Sequence, residues 1–162
     1  MSVKELKEKI LEAQKNSDIA SLYVLEHQAN ENFDEETLHG YYSNILDLAL
    51  EKLTDTLEAH RKMDMTEVQD FATIRALYEY AMEYYHSGNI TEASALFEVL
   101  SGLTKDEQFS NALKFHWIAS LENINLDDFM SKIADMDATQ NAGTFFISAF
   151  TKEAQELLKK SK

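Results

Sequence analysis

Apolar residues return every three or four positions along most of this chain, and polar clusters between them mark where one helix stops and the next begins. Val3, Leu6, Ile10 and Ala13 fall on one side of a first helix, with Lys4, Glu8, Lys9 and Glu12 mostly opposite. Ser2 and Glu5 form a capping-box pattern at its start. Asn16 and Ser17 interrupt it, and Ser17 or Asp18 caps a second helix through Leu22, Leu25 and Ala29, which ends in Asn30-Glu31-Asn32. A long third helix runs to about His60, with Leu38, Tyr42, Ile45, Ala49, Leu53 and Leu57 as its apolar side. Asp34, Glu35 and Glu36 complement its N-terminus, and Gly40 weakens its start. Its length fits either a dimerisation surface or simple packing.

Thr66 with Gln69, and later Thr104 with Glu107, repeat the capping-box pattern. Between them lie two short amphipathic helices hinged at Gly88, with Leu77, Ala81 and Tyr84 on the first and Ala93, Phe97 and Leu100 on the second. Gly88 provides a left-handed stop, and Thr91 is the expected N-cap of the second helix. The small residues Ala81 and Ala93 sit where two helices must approach closely. The helix over residues 106–121 is apolar nearly all round, so it is buried between neighbours or turns one face to a partner. Asn125 caps a short helix carrying Phe129, Met130 and Ile133. Thr139 to Lys160 reads as a last helix with Phe145, Phe146, Ala149, Phe150, Leu157 and Leu158, its C-terminal lysines suiting the helix dipole.

Composition agrees with an all-α chain. Its 162 residues include no proline and four glycines, while Leu, Ala, Glu and Lys abound. This length fits one domain with a substantial core. A net charge of −14 excludes a nucleic-acid backbone as the expected partner and favours a basic or amphipathic one, unless the acidic surface serves only solubility. Without cysteine there is no disulfide frame, thiolate metal site or cysteine nucleophile. The start MSVKELKEKI has no apolar core of a secretory signal, and no stretch approaches the roughly 20 apolar residues of a membrane span. A cytoplasmic protein without membrane insertion is the expectation.

Leu77, Tyr78, Ala81, Tyr85, Gly88, Glu92, Ala93, Phe97 and Leu100 stand at the spacing of a tetratricopeptide repeat, and the stretch resembles one. Within that superfamily it is most similar to the first repeat of the class II type III secretion chaperones, small acidic bacterial proteins that hold translocator subunits before export. The resemblance implies a tetratricopeptide-like stack of antiparallel helix pairs with additional N-terminal helices. Residues 1–65 would be a dimerisation or packing region, 66–140 the repeats, and 141–162 a C-terminal capping helix that solvates the stack. The family has three repeats beginning near the N-terminus, whereas here the clear repeat is central. A shift by the repeat length of about 34 residues places Gly88-Asn89-Ile90 on Glu122-Asn123-Ile124, but Ala93 then falls on Asp127 and Phe97 on Ser131. The second repeat is either degenerate or in another register.

Linear signals of catalysis are missing. The five histidines, His27, His39, His60, His86 and His116, include no HExxH arrangement, and no GxGxxG, P-loop or GxSxG occurs. Asp127-Asp128 and Asp135-x-Asp137 lack the glycine and distal glutamate of a calcium loop. Neither a catalytic residue, a metal ligand nor a cofactor is assigned, and an enzyme is not expected.

Stacked helix pairs build a concave face from their first helices. With Leu77, Tyr80, Ala81 and Tyr84 turned inward, Arg75, Tyr78, Met82, Tyr85 and His86 line that face, joined one repeat later by Phe109, Ala112 and His116. Aromatic rings and a methionine suit an extended or helical peptide. In the resembled chaperones such a groove takes a short unfolded client segment. The competing reading buries Tyr78 and Tyr85 against the helix of residues 35–60. Two functions follow: a chaperone for a protein client or peptide segment, or a helical adaptor or scaffold subunit in a homodimer or hetero-complex.

Overall fold

Among the described residues seven helices open on a side chain that accepts a hydrogen bond from the backbone N–H three residues further on, the last of them at Thr151 (3.3 Å to Ala154). The other six caps are Ser2 (3.1 Å to Glu5), Asp18 (3.0 Å to Ser21), Asp34 (2.8 Å to Thr37), Asp106 (2.9 Å to Phe109), Asn125 (2.8 Å to Asp128) and Asp135 (3.0 Å to Ala138). Each satisfies an N–H that the first helical turn leaves unpaired. The computed structural model describes residues 1–160; the last two residues of the expected capping helix lie outside the described residues. The described residues form helices and connecting turns without a strand. The helices are α1 (Val3–Lys15), α2 (Ile19–Val24), α3 (Glu26–Asn32), α4 (Glu35–Glu58), α5 (Val68–His86), α6 (Ile90–Ser101), α7 (Glu107–Leu121), α8 (Leu126–Asp128), α9 (Met136–Ala142) and α10 (Lys152–Lys160). After α8 the chain continues in a wide π turn, Phe129–Ile133, closed by Ala134 N–H on the Phe129 carbonyl at 2.8 Å.

Two capping boxes read from the sequence do not form. Thr66 bonds the Asp64 carboxylate through both its N–H and its hydroxyl, while Gln69 reaches Asp18. Asp106 caps α7, and Thr104 accepts from the Asp106 N–H instead. Likewise α6 begins at Ile90, ahead of Thr91, with Asn89 in the cap position. Helix ends follow a shared geometry. At Ser17, His60, Gly88 and Asn123 the backbone turns left-handed, and paired N–H groups close on the last helical carbonyls. At Gly88 (φ 85°) these bonds are Gly88 N–H to Tyr85 O at 3.2 Å and Asn89 N–H to Tyr84 O at 2.9 Å.

The chain divides into two compact units, Met1–Ala76 and Leu77–Lys162, the division falling inside α5. In the first, Leu6, Ile10 and Ala13 of α1 and Ile19 and Leu22 of α2 are buried. On α4 the buried seam is Tyr41, Ile45, Ala49, Leu53 and Thr56, not the expected line through Leu38, Tyr42 and Leu57. Spacings of four run from Tyr41 to Leu53, and a last step of three buries Thr56 and leaves Leu57 exposed. The Tyr41 hydroxyl donates to the Leu22 carbonyl near the kink at Leu25, where the expected single helix is two, α2 and α3. The Gln69 side chain ties α5 to the start of α2, donating to Asp18 at 2.6 Å and accepting from the Ala20 N–H at 3.2 Å.

In the second unit, Ala81, Ala93, Phe97 and Leu100 are fully enclosed, and the Tyr85 and Phe97 rings meet edge to face at 5.6 Å between centroids. Helix α7, packed along α6, buries Phe109, Ala112, Leu113, Phe115, His116, Ala119 and Ser120, as a helix apolar nearly all round must. The expected final helix over 139–160 is broken. Gly143 (φ 69°) ends α9, residues 144–151 run without helix, and α10 begins only at Lys152. Ala134 and Phe150 form an isolated antiparallel bridge across this break. Thr139 explains the break locally, because its hydroxyl accepts from the N–H groups of Ser148 (3.2 Å) and Ala149 (3.1 Å).

Candidate functional site

Tyr78 and Tyr85 lie two turns apart on α5, and both are buried within the second unit. The Tyr85 ring packs on Phe97 and on Phe129 (5.8 Å), and its hydroxyl donates to the Ile124 carbonyl just past the end of α7. The Tyr78 ring meets His116 of α7 (5.3 Å) and, from the segment after α9, Phe145 (5.9 Å) and Phe146 (6.4 Å). Burial pushes both phenols above their ordinary pKa.

His116 is fully enclosed and sits in a directional chain of hydrogen bonds. The Ala112 carbonyl can only accept, so His116 Nδ1 (2.7 Å away) carries the proton. Nε2 therefore accepts from the Tyr78 hydroxyl at 2.7 Å, and Tyr78 Oη in turn accepts from the Ile147 N–H at 3.0 Å. Around the imidazole stand the rings of Phe97, Phe129 and Phe150. Burial pushes its pKa down to about 4, against the contribution of the Ala112 carbonyl. With both nitrogens engaged and no solvent contact, the neutral imidazole fastens α5 to α7 and to the segment after α9.

This depression sets a pH dependence. Between the ordinary value of 6.5 and about 4 the unfolded chain binds the proton and the folded chain does not. Stability therefore declines as pH falls from 6.5 to about 4, by about 3 kcal/mol in all, and this residue adds no further loss below that. Asp18, Asp34 and Asp64, held below the carboxylate range chiefly by the side chains of Ser21, Thr37 and Thr66, act at lower pH in the same direction. Urea midpoints of wild type and His116→Gln between pH 7 and 4 check this. The wild type should fall more steeply, and parallel curves would remove His116 as the cause.

The set expected to line a groove is thus distributed differently. Tyr78, Tyr85, Phe109, Ala112 and His116 are all buried by the chain itself, which corrects their reading as an open partner surface. Segment 144–150 covers Tyr78, Phe109 and His116, with Phe146 edge to face on Phe109 at 5.0 Å and Phe150 stacked on Phe115 at 4.2 Å, while Tyr85 is enclosed by Phe97 and Phe129. Arg75 belongs to the first unit, where its guanidinium reaches the Glu26 carboxylate (3.2 Å) and lies 4.1 Å over the Tyr23 ring. Met82 is half-buried and His86 exposed. Phe145, Phe146 and Phe150 were missed because their spacing (i, i+1, i+5) also fits a helix. Gly143 followed by the hydroxyl residues Thr144 and Ser148 was the available sign that it does not.

Elsewhere, Leu11 (66% exposed), Val24 (80%) and Val68 (67%) leave apolar side chains in solvent on the first unit. An open hollow of about 490 Å³ on α1 is lined by Val3, Lys4, Lys7, Glu8 and Leu11. Among the described residues no group of three or more His, Asp or Glu is placed to hold a metal ion, and no helix is long and apolar enough to cross a membrane. No family model, no curated protein and no solved structure matches the chain.

Proposed function

We propose that this chain is a non-enzymatic, protein-binding chaperone built on tetratricopeptide-like helix pairs, which holds an exported, translocator-type client in the cytoplasm as the class II type III secretion chaperones do. One observation carries the reading. The motif residues Leu77, Ala81, Tyr85, Ala93, Phe97 and Leu100 are all buried, with Gly88 left-handed between their two helices. That is the role each motif position has in a repeat of this kind, where small residues allow close approach and rings fill the remainder. The left-handed stop after α7 is at Asn123, one residue beyond the register a 34-residue shift (~34) assigns, and α8 is a single turn. A second repeat would therefore be a shortened one.

The adaptor or scaffold reading would use a different surface, the first unit, where Leu11, Val24 and Val68 are exposed. Both readings involve a protein partner and give different results. Mixed with a translocator-type client that aggregates by itself, a chaperone keeps the client in the supernatant after centrifugation. A client that pellets equally with and without the chain removes the chaperone function. Stable copurification with an apparatus subunit, lost on Val24→Asp, would establish the adaptor in its place.

A further inference from the structure

Residues 138–151 contain no Asp, Glu, Lys, Arg or His, in a chain where 27% of residues are charged. Their middle part is also where the backbone leaves the helical pattern of the rest. Residues 144–150 cross the face formed by the C-terminal half of α5 and by α7, and their attachments are of two kinds. Toward the preceding chain they are hydrogen bonds: Asp135 N–H to Ala149 O (2.8 Å), the N–H groups of Ser148 and Ala149 to the Thr139 hydroxyl, and, just beyond the segment, Thr151 N–H to Ile133 O (2.9 Å). Toward α5 and α7 they are ring contacts on Tyr78, Phe109 and Phe115, with the bond from Ile147 N–H to Tyr78 Oη.

A face that holds a bent, non-helical chain by ring surfaces and one backbone N–H recognises a type of segment, not this segment alone. Tyr78, Phe109 and Phe115 meet the rings of the strap, while His116, Tyr85, Phe97 and Phe129 also pack on one another. The strap buries Phe146 and Ile147, but the flanking helices bury little, α9 only Thr139 and α10 only Ala154. Helices with so few buried side chains open at a free energy below that of global unfolding.

We infer that residues 144–150 are an internal competitor occupying a binding face of α5 and α7, which takes from another protein an uncharged, non-helical segment with two adjacent aromatic residues followed by a non-proline residue. This rests on the protein-binding reading above and adds to it the chemistry of the client segment and the means by which the empty protein keeps its aromatic face out of water. The two phenylalanines supply the ring contacts. The following residue supplies the N–H for Tyr78, which proline lacks. A partner without net negative charge also avoids repulsion by a chain of net charge −14.

The test uses the full chain and a fluorescein-labelled peptide with the sequence of residues 143–151, carried on two lysines for solubility. In Phe146→Ala the strap loses its contact with Phe109, so the peptide should bind at least about tenfold more tightly than to wild type, a difference of about 1.4 kcal/mol. Binding should fall about tenfold when Tyr78→Phe is added, and disappear for a peptide with both adjacent phenylalanines replaced by alanine. Circular dichroism and a cooperative melt verify that each variant is folded. Should Phe146→Ala fail to fold, Phe145→Ala, at a half-exposed position, carries the same expectation. No binding to a folded strap variant, equal binding to wild type, or indifference to the peptide's phenylalanines overturns the inference. If that happens while the wild-type chain still keeps a client soluble, the chaperone reading survives and its client contacts another surface.

Discussion

Tyr85→Ala will destabilise the second unit by about 3–5 kcal/mol, the range for truncating a large aromatic side chain in a core. Read as a surface residue from the sequence, Tyr85 should tolerate alanine with little loss of stability and only weaken partner capture. Its surroundings reverse that expectation. The ring is held between Phe97 and Phe129, 5.6 and 5.8 Å away, and is 2% exposed. Removing it leaves a cavity among rings that cannot collapse to fill it, and the Ile124 carbonyl loses its phenol donor. Domains are stable by only about 5–15 kcal/mol, so the variant should show a large fall in urea midpoint or no folded baseline. Tyr85→Phe removes the hydroxyl alone and should cost about 1 kcal/mol. A Tyr85→Ala midpoint within error of wild type would show the ring to be at the surface, and the packing described around Phe97 would be wrong.

Ala81→Trp will abolish the cooperative melt of the same unit. Ala81 is fully enclosed on the face of α5 that also carries Leu77, Tyr78 and Tyr85. Extra methylenes in a filled core cost about 1–3 kcal/mol, and an indole in place of a methyl group far exceeds that addition. Glu83→Trp, two residues away at an exposed position of the same helix, separates the effect of the site from that of the indole and should melt like wild type. If both tryptophan variants melt together, α5 is not closely approached at Ala81.

These two predictions differ in how much of them the sequence supplied. For Ala81 the repeat spacing and the small side chain were enough, because close helix approach is encoded at the position itself. For Tyr85 the spacing placed the ring on α5 but could not say what lay above it. The same holds for Tyr78, Phe109 and His116, each on a correctly located helix and each covered by residues whose sequence spacing suggested another helix. Gln69 shows the effect in miniature. It stands three residues after Thr66 in a capping-box pattern, yet its amide is bonded to Asp18, 51 positions earlier.

The sequence by itself determined that the chain is helical, where α1, α2, α4, α7 and α8 begin, where α5 stops at Gly88, and which small residues are enclosed at Ala81 and Ala93. Those properties depend on contacts within about four residues, through periodicity, capping and the left-handed stop. Only the tertiary structure decided that the aromatic face of α5 and α7 is covered, that residues 144–150 cover it, and that His116 is a neutral fastener. Each of these depends on partners far apart in the chain, 38 residues between Tyr78 and His116 and 69 between Tyr78 and Ile147. A phenylalanine gains the same free energy by leaving water whichever apolar surface receives it, so local pattern fixes that it is buried and the assembled fold fixes where.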